Sequence, residues 1–165
     1  MRILLAIVCA MTLHAESAAG VKWTAPAGWT AEAQRPMRAA TYTIAVAPGD
    51  SDKGECAVYF FGAGQGGSIE ANIDRWKAQF KGPEAKVSKT IVHGLPVTRI
   101  DASGEYSGMG GPMAATKTVK AGYRLMGAIV EGPGGNLFVK FTGPVKTVNA
   151  NAAKFEQLIA SFVRQ

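Results

Sequence analysis

The sequence predicts an α+β protein in which two main helices cover an antiparallel sheet. An apolar run, a glycine-rich stretch and a helical pattern follow one another between Cys56 and Phe80. Strand-like segments between Lys86 and Gly143 flank short turns, and helical spacing returns from Val148 to Phe162. Strands joined by short turns pair in antiparallel fashion. These strands are therefore expected to form one antiparallel sheet, and the two helices are expected to cover its faces.

The residues before Cys56 predict two strands. Lys22 to Ala25 is a short strand that ends at a Pro-Ala-Gly turn, and Trp23 and Trp29 flank that turn. Two tryptophans around such a turn are typical of the edge of a core. Ala39 to Val46 alternates apolar and polar residues, which is typical of a strand with one buried face, and a polar turn follows it.

The segment from Cys56 to Phe61 is almost continuously apolar and aromatic, which is typical of a central strand covered on both faces. A helix follows the glycines, with Ser68 as its N-cap and Gly82-Pro83 as its end. Its apolar residues recur at helical spacing and form one stripe. The stripe consists of Ile69, Ile73, Trp76 and Phe80.

Two hairpins follow this helix and predict an antiparallel meander. The first joins Lys86–Val92 to Leu95–Ala102 through His93-Gly94, and the second joins Tyr123–Glu131 to Leu137–Gly143 through a longer glycine-rich loop. Between them, Ser107–Ala115 is too rich in glycine for a regular element and is predicted to be a loop. A single C-terminal helix then places the apolar side chains of Val148, Ala152, Phe155, Ile159 and Phe162 on one face.

This element order, together with Trp-Thr-Ala-Pro-Ala-Gly-Trp at residues 23–29, resembles the PsbP/Mog-like fold, an α-β-α sandwich. The blocks Gly54–Gly62 and Asn72–Trp76 are similar to those of exported bacterial proteins of unknown function. The resemblance covers roughly Val21 to Val163. Because the better-known members of that family are binding or assembly proteins, the resemblance implies a binding role rather than catalysis.

The N-terminus predicts a secretory signal peptide. Arg2 supplies positive charge, Ile3–Leu13 is apolar, and small residues follow, so cleavage is expected after Ala15 or Ala19. The apolar run is shorter than the roughly 20 residues of a membrane-spanning helix. We therefore expect residues 1–19 to be the signal and residues 20–165 to be a single domain in the periplasm or outside the cell, with no integral membrane segment.

The net charge of +6 does not predict a nucleic-acid partner. The basic residues are scattered, with no run and no interleaved stacking aromatics of the kind that such sites use. We interpret the positive charge as that of an ordinary solvent-exposed surface.

Several sequence patterns resemble cofactor, catalytic or metal motifs, but each lacks residues that the motif requires. Residues 62–67 match G-x-G-x-x-G, but no parallel strand ending in an acid follows, so a dinucleotide site is not expected. Cys56 and His93 are the one thiol and imidazole left after signal cleavage, and Cys56 is expected to be a core residue. Asp50 and Asp52 share a loop that lacks a full calcium-ligand set. We expect no cofactor and no metal, while free N–H groups before the helix leave open an anionic ligand at Ser68.

The sequence favours a non-enzymatic binding or accessory protein whose partner is an unknown protein or a small anionic ligand. Two glycine-rich loops are the predicted contact surface, because glycine lets a partner approach the backbone closely and methionine adapts to apolar surfaces. An envelope-directed hydrolase that uses Glu55, Asp101 or Glu105, and a purely structural envelope component, stay open as alternatives. The predicted contact residues are Gly64, Gln65, Gly66, Gly67, Ser68, Met109, Gly110, Gly111 and Met113.

Overall fold

A computed structural model describes residues 15–108 and 118–165. These residues form eleven strands and three helices. The strands are β1 (Ala15–Ala18), β2 (Val21–Thr24), β3 (Thr30–Ala31), β4 (Arg38–Ile44), β5 (Gly54–Tyr59), β6 (Phe80–Lys81), β7 (Lys86–Val92), β8 (Leu95–Ser107), β9 (Val119–Gly132), β10 (Gly135–Pro144) and β11 (Val163–Arg164). The helices are α1 (Ile69–Ala78), α2 (Val145–Ala150) and α3 (Ala152–Ala160).

The larger sheet has eight strands, in the order β3-β4-β5-β10-β9-β8-β6, and β7 pairs with β8 beside β6. A second sheet has three strands, in the order β1-β2-β11. Every strand pairing in the described ranges is antiparallel. The predicted meander of β7 to β10 is confirmed, although β8 and β9 run several residues further than the alternation of their sequences indicates.

The predicted α-β-α sandwich with two main helices over one sheet is wrong. Strands dominate the molecule, there are three helices of ten residues or fewer in the described ranges, and a second sheet accompanies the helices. The expected C-terminal helix is two helices that meet at Asn151, whose side-chain amide donates to the Thr147 carbonyl and accepts from the Trp29 indole. Phe162 and Phe80, expected within helices, lie beyond α3 and in β6.

One face of the eight-stranded sheet carries the main core. Trp23, on β2, stacks on Phe162 with ring centroids 5.2 Å apart, and the Trp23 indole donates to the Tyr42 hydroxyl. Phe155 of α3 packs on the same cluster. The three-stranded sheet, α2 and α3 together therefore cover this face, and both tryptophans of the Pro-Ala-Gly turn are buried as expected.

The opposite face carries a smaller cluster under α1. Ile73 and Trp76 of this helix pack on Ile100, Leu125 and Ile129 of the sheet. Ser68 caps α1 as predicted, because its hydroxyl accepts from the Ala71 amide at 3.1 Å. The helix ends at Ala78, before Gly82-Pro83. Because this one short helix cannot span an eight-stranded sheet, part of the second face stays open.

None of the helices in the described ranges is both long enough and apolar enough to cross a lipid bilayer.

Candidate functional site

The open part of the second face contains two adjoining cavities, of about 50 and about 160 Å³. Tyr59 and Lys140 line both, so the cavities form one continuous depression, which we call the lysine groove. It begins at the edge of α1 and runs across β5 and β10. Its lining residues are Arg38, Glu55, Tyr59, Phe61, Asn72, Arg75, Trp76, Tyr106, Phe138, Lys140 and Thr142.

Alternation along β10 places Lys140 in the groove. Phe141 and Val139 point into the main core, so Lys140 and Thr142 point to the opposite face. Phe138 also faces that side and is buried under the α1 cluster, whereas Lys140 lies beyond it and is only partly buried. The edge of the helix therefore decides where the apolar cluster ends and the groove begins.

Lys140 is a cation that forms no ion pair with a described residue. Its ammonium donates to the neutral Oε1 of Gln79 at 2.5 Å and lies 5.5 Å from the centre of the Tyr106 ring. No carboxylate in the described ranges lies within ion-pair distance of it. Burial lowers the pKa of Lys140 to about 8, and the more distant Glu55 carboxylate opposes that effect.

The other charges of the larger cavity are already paired. The Arg38 guanidinium donates to Glu55 at 2.8 Å and lies 5.0 Å from the centre of the Tyr59 ring, and Arg35 approaches Glu55 from outside at 3.6 Å. Thr142 also lines this cavity, but its hydroxyl oxygen is fully buried and has no hydrogen-bond partner among the described residues. Native structures leave few such groups unsatisfied, so this hydroxyl needs an explanation.

Stacked aromatic pairs form the walls. Tyr59 stacks on Phe61 at 6.0 Å with 10° between the rings, and Tyr106 stacks on Tyr123 at 5.6 Å with 5° between them. Burial raises the pKa of both Tyr59 and Tyr106, so the two phenols that line the groove stay neutral well above pH 7. The two tyrosine rings therefore pack between an aromatic neighbour and a cation each, Phe61 and Arg38 for Tyr59 and Tyr123 and Lys140 for Tyr106, and they add no negative charge to the groove.

The predicted contact residues 64–68 lie at one end of this groove. The Asn72 amide donates to the carbonyls of Gly66 and Ser68 at 2.8 Å each, which folds the glycine loop onto α1. A Cβ placed on Gly66 would lie 2.7 Å from the Phe61 ring and 2.8 Å from the Phe138 ring. The loop thus supports the rings of the smaller cavity, while a Cβ placed on Gly64 would have nothing within 4 Å of it.

The second predicted loop lies largely outside the described residues. Met109, Gly110, Gly111 and Met113 fall in the range 109–117. The strands that lead into and out of this range pair Tyr106 with Lys120. Tyr106 lines the larger cavity, so the strands that carry the second loop reach the groove at the end opposite Gly66.

The three acids of the hydrolase alternative do not form one site. Asp101 accepts two hydrogen bonds from Arg124, at 3.0 and 2.6 Å, and shares a cavity with Glu156 of α3 on the main-core face. Glu55 faces the groove on the opposite side of the sheet. Glu105 is exposed on β8, opposite Lys81 of β6.

Cys56 and His93 have separate surroundings and do not form a catalytic pair. Cys56 is fully buried between β4 and β10, and burial raises the pKa of its thiol. His93 occupies the β7–β8 turn, where its Nδ1 lies 3.0 Å from the Phe162 carbonyl oxygen. The prediction that Cys56 is a core residue is confirmed.

The two aspartates of the polar turn have separate structural partners. Asp50 accepts from the backbone amide and the hydroxyl of Thr147, both at 2.7 Å, and so caps α2. Asp52 accepts from Lys120 at 2.8 Å and from Tyr123 at 2.5 Å, and the Lys120 hydrogen bond lowers the pKa of Asp52. Within residues 15–108 and 118–165, no group of three or more potential metal ligands of the His, Cys, Asp and Glu types exists.

Sequence reasoning missed Lys140, Tyr59, Tyr106 and Thr142. The available signal was the alternation from Phe138 to Thr142, which puts Lys140 and Thr142 on one face of a strand. That pattern alone is typical of a solvated face. Lys140 is partly buried because β10 lies between β5 and β9, near the centre of a wide sheet, and the alternation within β10 does not reveal that position.

Comparisons with known proteins support the fold but not an activity. No family model matches the chain, and no curated protein matches it. The solution structure of cyanobacterial PsbP (CyanoP) from Synechocystis sp. PCC 6803 is similar, with a TM-score of 0.54, 11% identity, and coverage of 98% of this chain and 97% of that one. The crystal structure of PA94 from Pseudomonas aeruginosa, described as a protein of unknown function and putative regulator, gives a TM-score of 0.51, 10% identity, and coverage of 93% and 97%. The fold is therefore PsbP-like.

Proposed function

We propose that this chain is an exported, non-enzymatic binding protein that holds a small anionic ligand in the lysine groove. The observation that carries the proposal is Lys140, a partly buried ammonium that donates to a neutral acceptor and has no carboxylate within ion-pair distance among the described residues. Burying a charge is unfavourable unless it is paired. An anion that enters the groove supplies the missing partner.

A small ligand is favoured over a protein partner because the cation lies inside a cavity rather than on a flat surface. The cavity around Lys140 measures about 160 Å³, and Arg38, Glu55 and Tyr106 also line it. A concave site where several polar side chains converge is typical of small-molecule binding. The predicted glycine loops then border the site rather than form it.

Binding is favoured over hydrolysis because two of the candidate catalytic carboxylates are held by arginines. Arg38 and Arg35 lie against Glu55, and Arg124 holds Asp101 in a two-pronged contact. A general acid or base needs a carboxyl that is free to exchange its proton with a substrate. Ion-paired carboxylates on opposite faces of the sheet do not supply a cooperating pair.

Export is the second part of the proposal and rests on residues 1–19. Arg2, the apolar run Ile3–Leu13 and the small residues that follow it have the layout of a secretory signal. The expected location is the periplasm or the medium, where a free buried Cys56 needs no reducing environment.

The test is an NMR titration of the ¹⁵N-labelled mature protein with a panel of small anions, neutral molecules and cations. We expect anions to shift backbone amides of β5 and β10 around Tyr59 and Lys140, and cations to leave them unchanged. Lys140→Met should abolish those shifts. Lys86→Met is the matched control, because Lys86 is an exposed lysine that lines a separate cavity.

A panel in which no anion perturbs the groove would contradict the proposal. Perturbations that persist in Lys140→Met and vanish in Lys86→Met would contradict it as well, because they would place the anion site at the cavity near Arg99 and Asp101.

A further inference from the structure

We infer that β7 is a docking edge for an extended acidic segment of a partner protein, which adds to the eight-stranded sheet as a further antiparallel strand. The segment carries an acidic residue with an apolar residue two positions away on either side, and these three side chains meet Lys89, Val87 and Ile91. In the sheet order, β9 and β8 separate β7 from β10, which carries Lys140. The inference therefore concerns a surface other than the lysine groove and does not depend on the proposed function.

The outer edge of β7 is free within the described ranges. β7 pairs with β8 alone, and no backbone hydrogen bond joins it to any other described segment. Six of its seven residues are exposed, and the seventh, Val92, is partly buried. A strand of this length spans roughly 23 Å. Proteins usually shorten or cover such an edge, because its unpaired N–H and C=O groups can bind another strand.

The turn between β7 and β8 determines which backbone groups of β7 point outwards. Both of its residues have positive φ, at +47° and +76°, as a type I′ turn requires, so the flanking residues Val92 and Leu95 are hydrogen-bonded to each other. Hydrogen-bonded pairs alternate along an antiparallel ladder. The N–H and C=O groups of Val87, Lys89 and Ile91 therefore point away from β8 and are available to a partner strand.

The side chains of the same three residues share one face of the sheet. Val87 lies opposite Ile100, which belongs to the cluster under α1, so Val87, Lys89 and Ile91 lie on the second face. Val87 is 42% exposed and Ile91 is 72% exposed, the highest value among the exposed large apolar side chains of the described residues. A partner strand with apolar residues at the matching positions would cover both.

Charge decides the residue between those two apolar positions. Lys89 forms no ion pair with a described residue. A partner strand places one side chain directly opposite Lys89, where an acidic residue is stabilising and a basic residue is destabilising. The net charge of +6 also attracts acidic segments to this protein in general.

A second copy of this chain fits the edge less well. Antiparallel pairing of two β7 strands that sets Val87 against Ile91 places Lys89 opposite Lys89, and like charges directly opposite each other are unfavourable. Moving one strand by two residues sets Lys89 against an apolar residue instead and loses one of the apolar pairs. An acidic segment therefore satisfies the edge better than self-pairing does.

The experiment titrates the ¹⁵N-labelled mature protein with the capped peptide Thr-Val-Thr-Glu-Thr-Val-Thr. We expect shifts of the β7 amides and slower hydrogen exchange at Val87, Lys89 and Ile91, whereas exchange at Ser88 and Thr90, whose amides already face β8, should change little. A peptide with lysine in place of the glutamate should bind at least about fivefold more weakly. N-methylation of the glutamate and both valines should abolish binding, and N-methylation of the two threonines between them should preserve it.

A charge reversal in the protein tests the pairing at Lys89. Lys89→Glu should weaken binding of the glutamate peptide about tenfold and should strengthen binding of the lysine peptide. Lys86→Glu is the matched control, because it changes the net charge equally but lies on the main-core face, where Lys86 lines the cavity beside Glu156. It should change the Kd of the glutamate peptide less than about threefold.

The wild-type titrations need no variant and can overturn the inference by themselves. Unchanged β7 amides at millimolar glutamate peptide would overturn it, and so would equal binding of the glutamate and lysine peptides. If the glutamate peptide shifts only amides around Tyr59 and Lys140, it binds in the lysine groove, so the proposed function stands and the inference is wrong. If the outward amides of β7 are already protected in the free protein, increasingly at higher protein concentration, the occupant is a second copy and the acidic segment is wrong.

Discussion

Gly66 shows how one residue connects the glycine loop to the groove. Its φ of +92° lies in the left-handed region, and its backbone passes directly over the Phe61 and Phe138 rings. Glycine is the residue type that tolerates both conditions, since it has no Cβ to strain or to collide. The loop was predicted as a contact surface, and its clearest role in the structure is to hold these two rings.

Gly66→Ala should therefore destabilise the protein more than Gly64→Ala does. Both positions have positive φ, at +92° and +68°, but only a Cβ at Gly66 meets neighbouring atoms. We expect losses of about 3 kcal/mol for Gly66→Ala and about 1 kcal/mol for Gly64→Ala in the free energy of unfolding. Urea denaturation of the two variants measures the difference. Equal losses would show that the rings move away freely and that the loop does not support them.

At the scale of elements, β1 bears on where the signal peptide ends. Its four residues pair with β2, from Ala15 opposite Thr24 to Ala18 opposite Val21. Glu16 is partly buried. Burial is the main cause that raises the pKa of Tyr42, and the negative charge of Glu16 raises it further. Cleavage after Ala15 keeps Glu16 and most of this strand, whereas cleavage after Ala19 removes all of it.

We predict that the mature protein begins at Glu16. Ala19 has a φ of +54° in the turn between β1 and β2, and Ala18 packs against the main core. Intact mass and N-terminal sequencing of the exported protein test this prediction. As a second measurement, protein spanning 16–165 should melt several degrees above protein spanning 20–165, because the strand pairing is retained. An N-terminus at Gly20 together with equal melting temperatures would contradict it.

Local patterns predicted the elements that local chemistry determines. Ser68 starts α1, the His93-Gly94 turn joins β7 to β8, and the apolar run from Cys56 becomes a central strand. The break between α2 and α3 at Asn151 was not predicted, because Asn151 bonds the Trp29 indole, which is distant in sequence. The second sheet was missed for the same reason, since β2 pairs with β11 across nearly the whole chain.

The candidate site could be predicted only in part. The glycine loop at its border is recognisable from the local sequence, whereas the residues at its centre are not. Lys140 and Tyr59 come from strands that meet through the β5–β10 pairing, in which Lys140 lies opposite Ala57. Which face of β10 is covered depends on the length of α1 and on its position across the sheet, and neither can be derived from the alternation of the strand itself.

At the scale of the whole molecule, the sheet is wider than the elements that cover its second face. The main-core face is closed by two helices and a second sheet, whereas α1 alone among the described helices packs on the other. The exposed remainder contains a cation that folding has removed from much of its water. The protein therefore keeps at Lys140 an arrangement that is unfavourable for stability, which is typical of a functional site.

That arrangement predicts a specific pH dependence of stability. The pKa of Lys140 is about 8 in the folded protein against an ordinary value of 10.5, so between these values the unfolded chain binds more protons and stability rises with pH. Relative to Lys140→Met, the wild-type protein should gain up to about 3 kcal/mol in the free energy of unfolding between pH 7 and pH 10.5. Urea denaturation of both proteins across this range measures the gain. A difference that is constant, or that falls as the pH rises, would contradict it.

The pKa of Lys140 gives the most direct test of the lysine groove. It is measured without any ligand, in wild-type protein labelled with ¹³C in lysine, by following the Lys140 ¹³Cε signal from pH 6 to pH 11. Lys86, exposed on β7, serves as the internal reference. A midpoint near 8 for the pKa of Lys140, well below the ordinary lysine value of 10.5, is the predicted result. A midpoint near 10.5 would mean that Lys140 is an ordinary solvated lysine, and the lysine groove would then have no partly buried cation for an anion to meet.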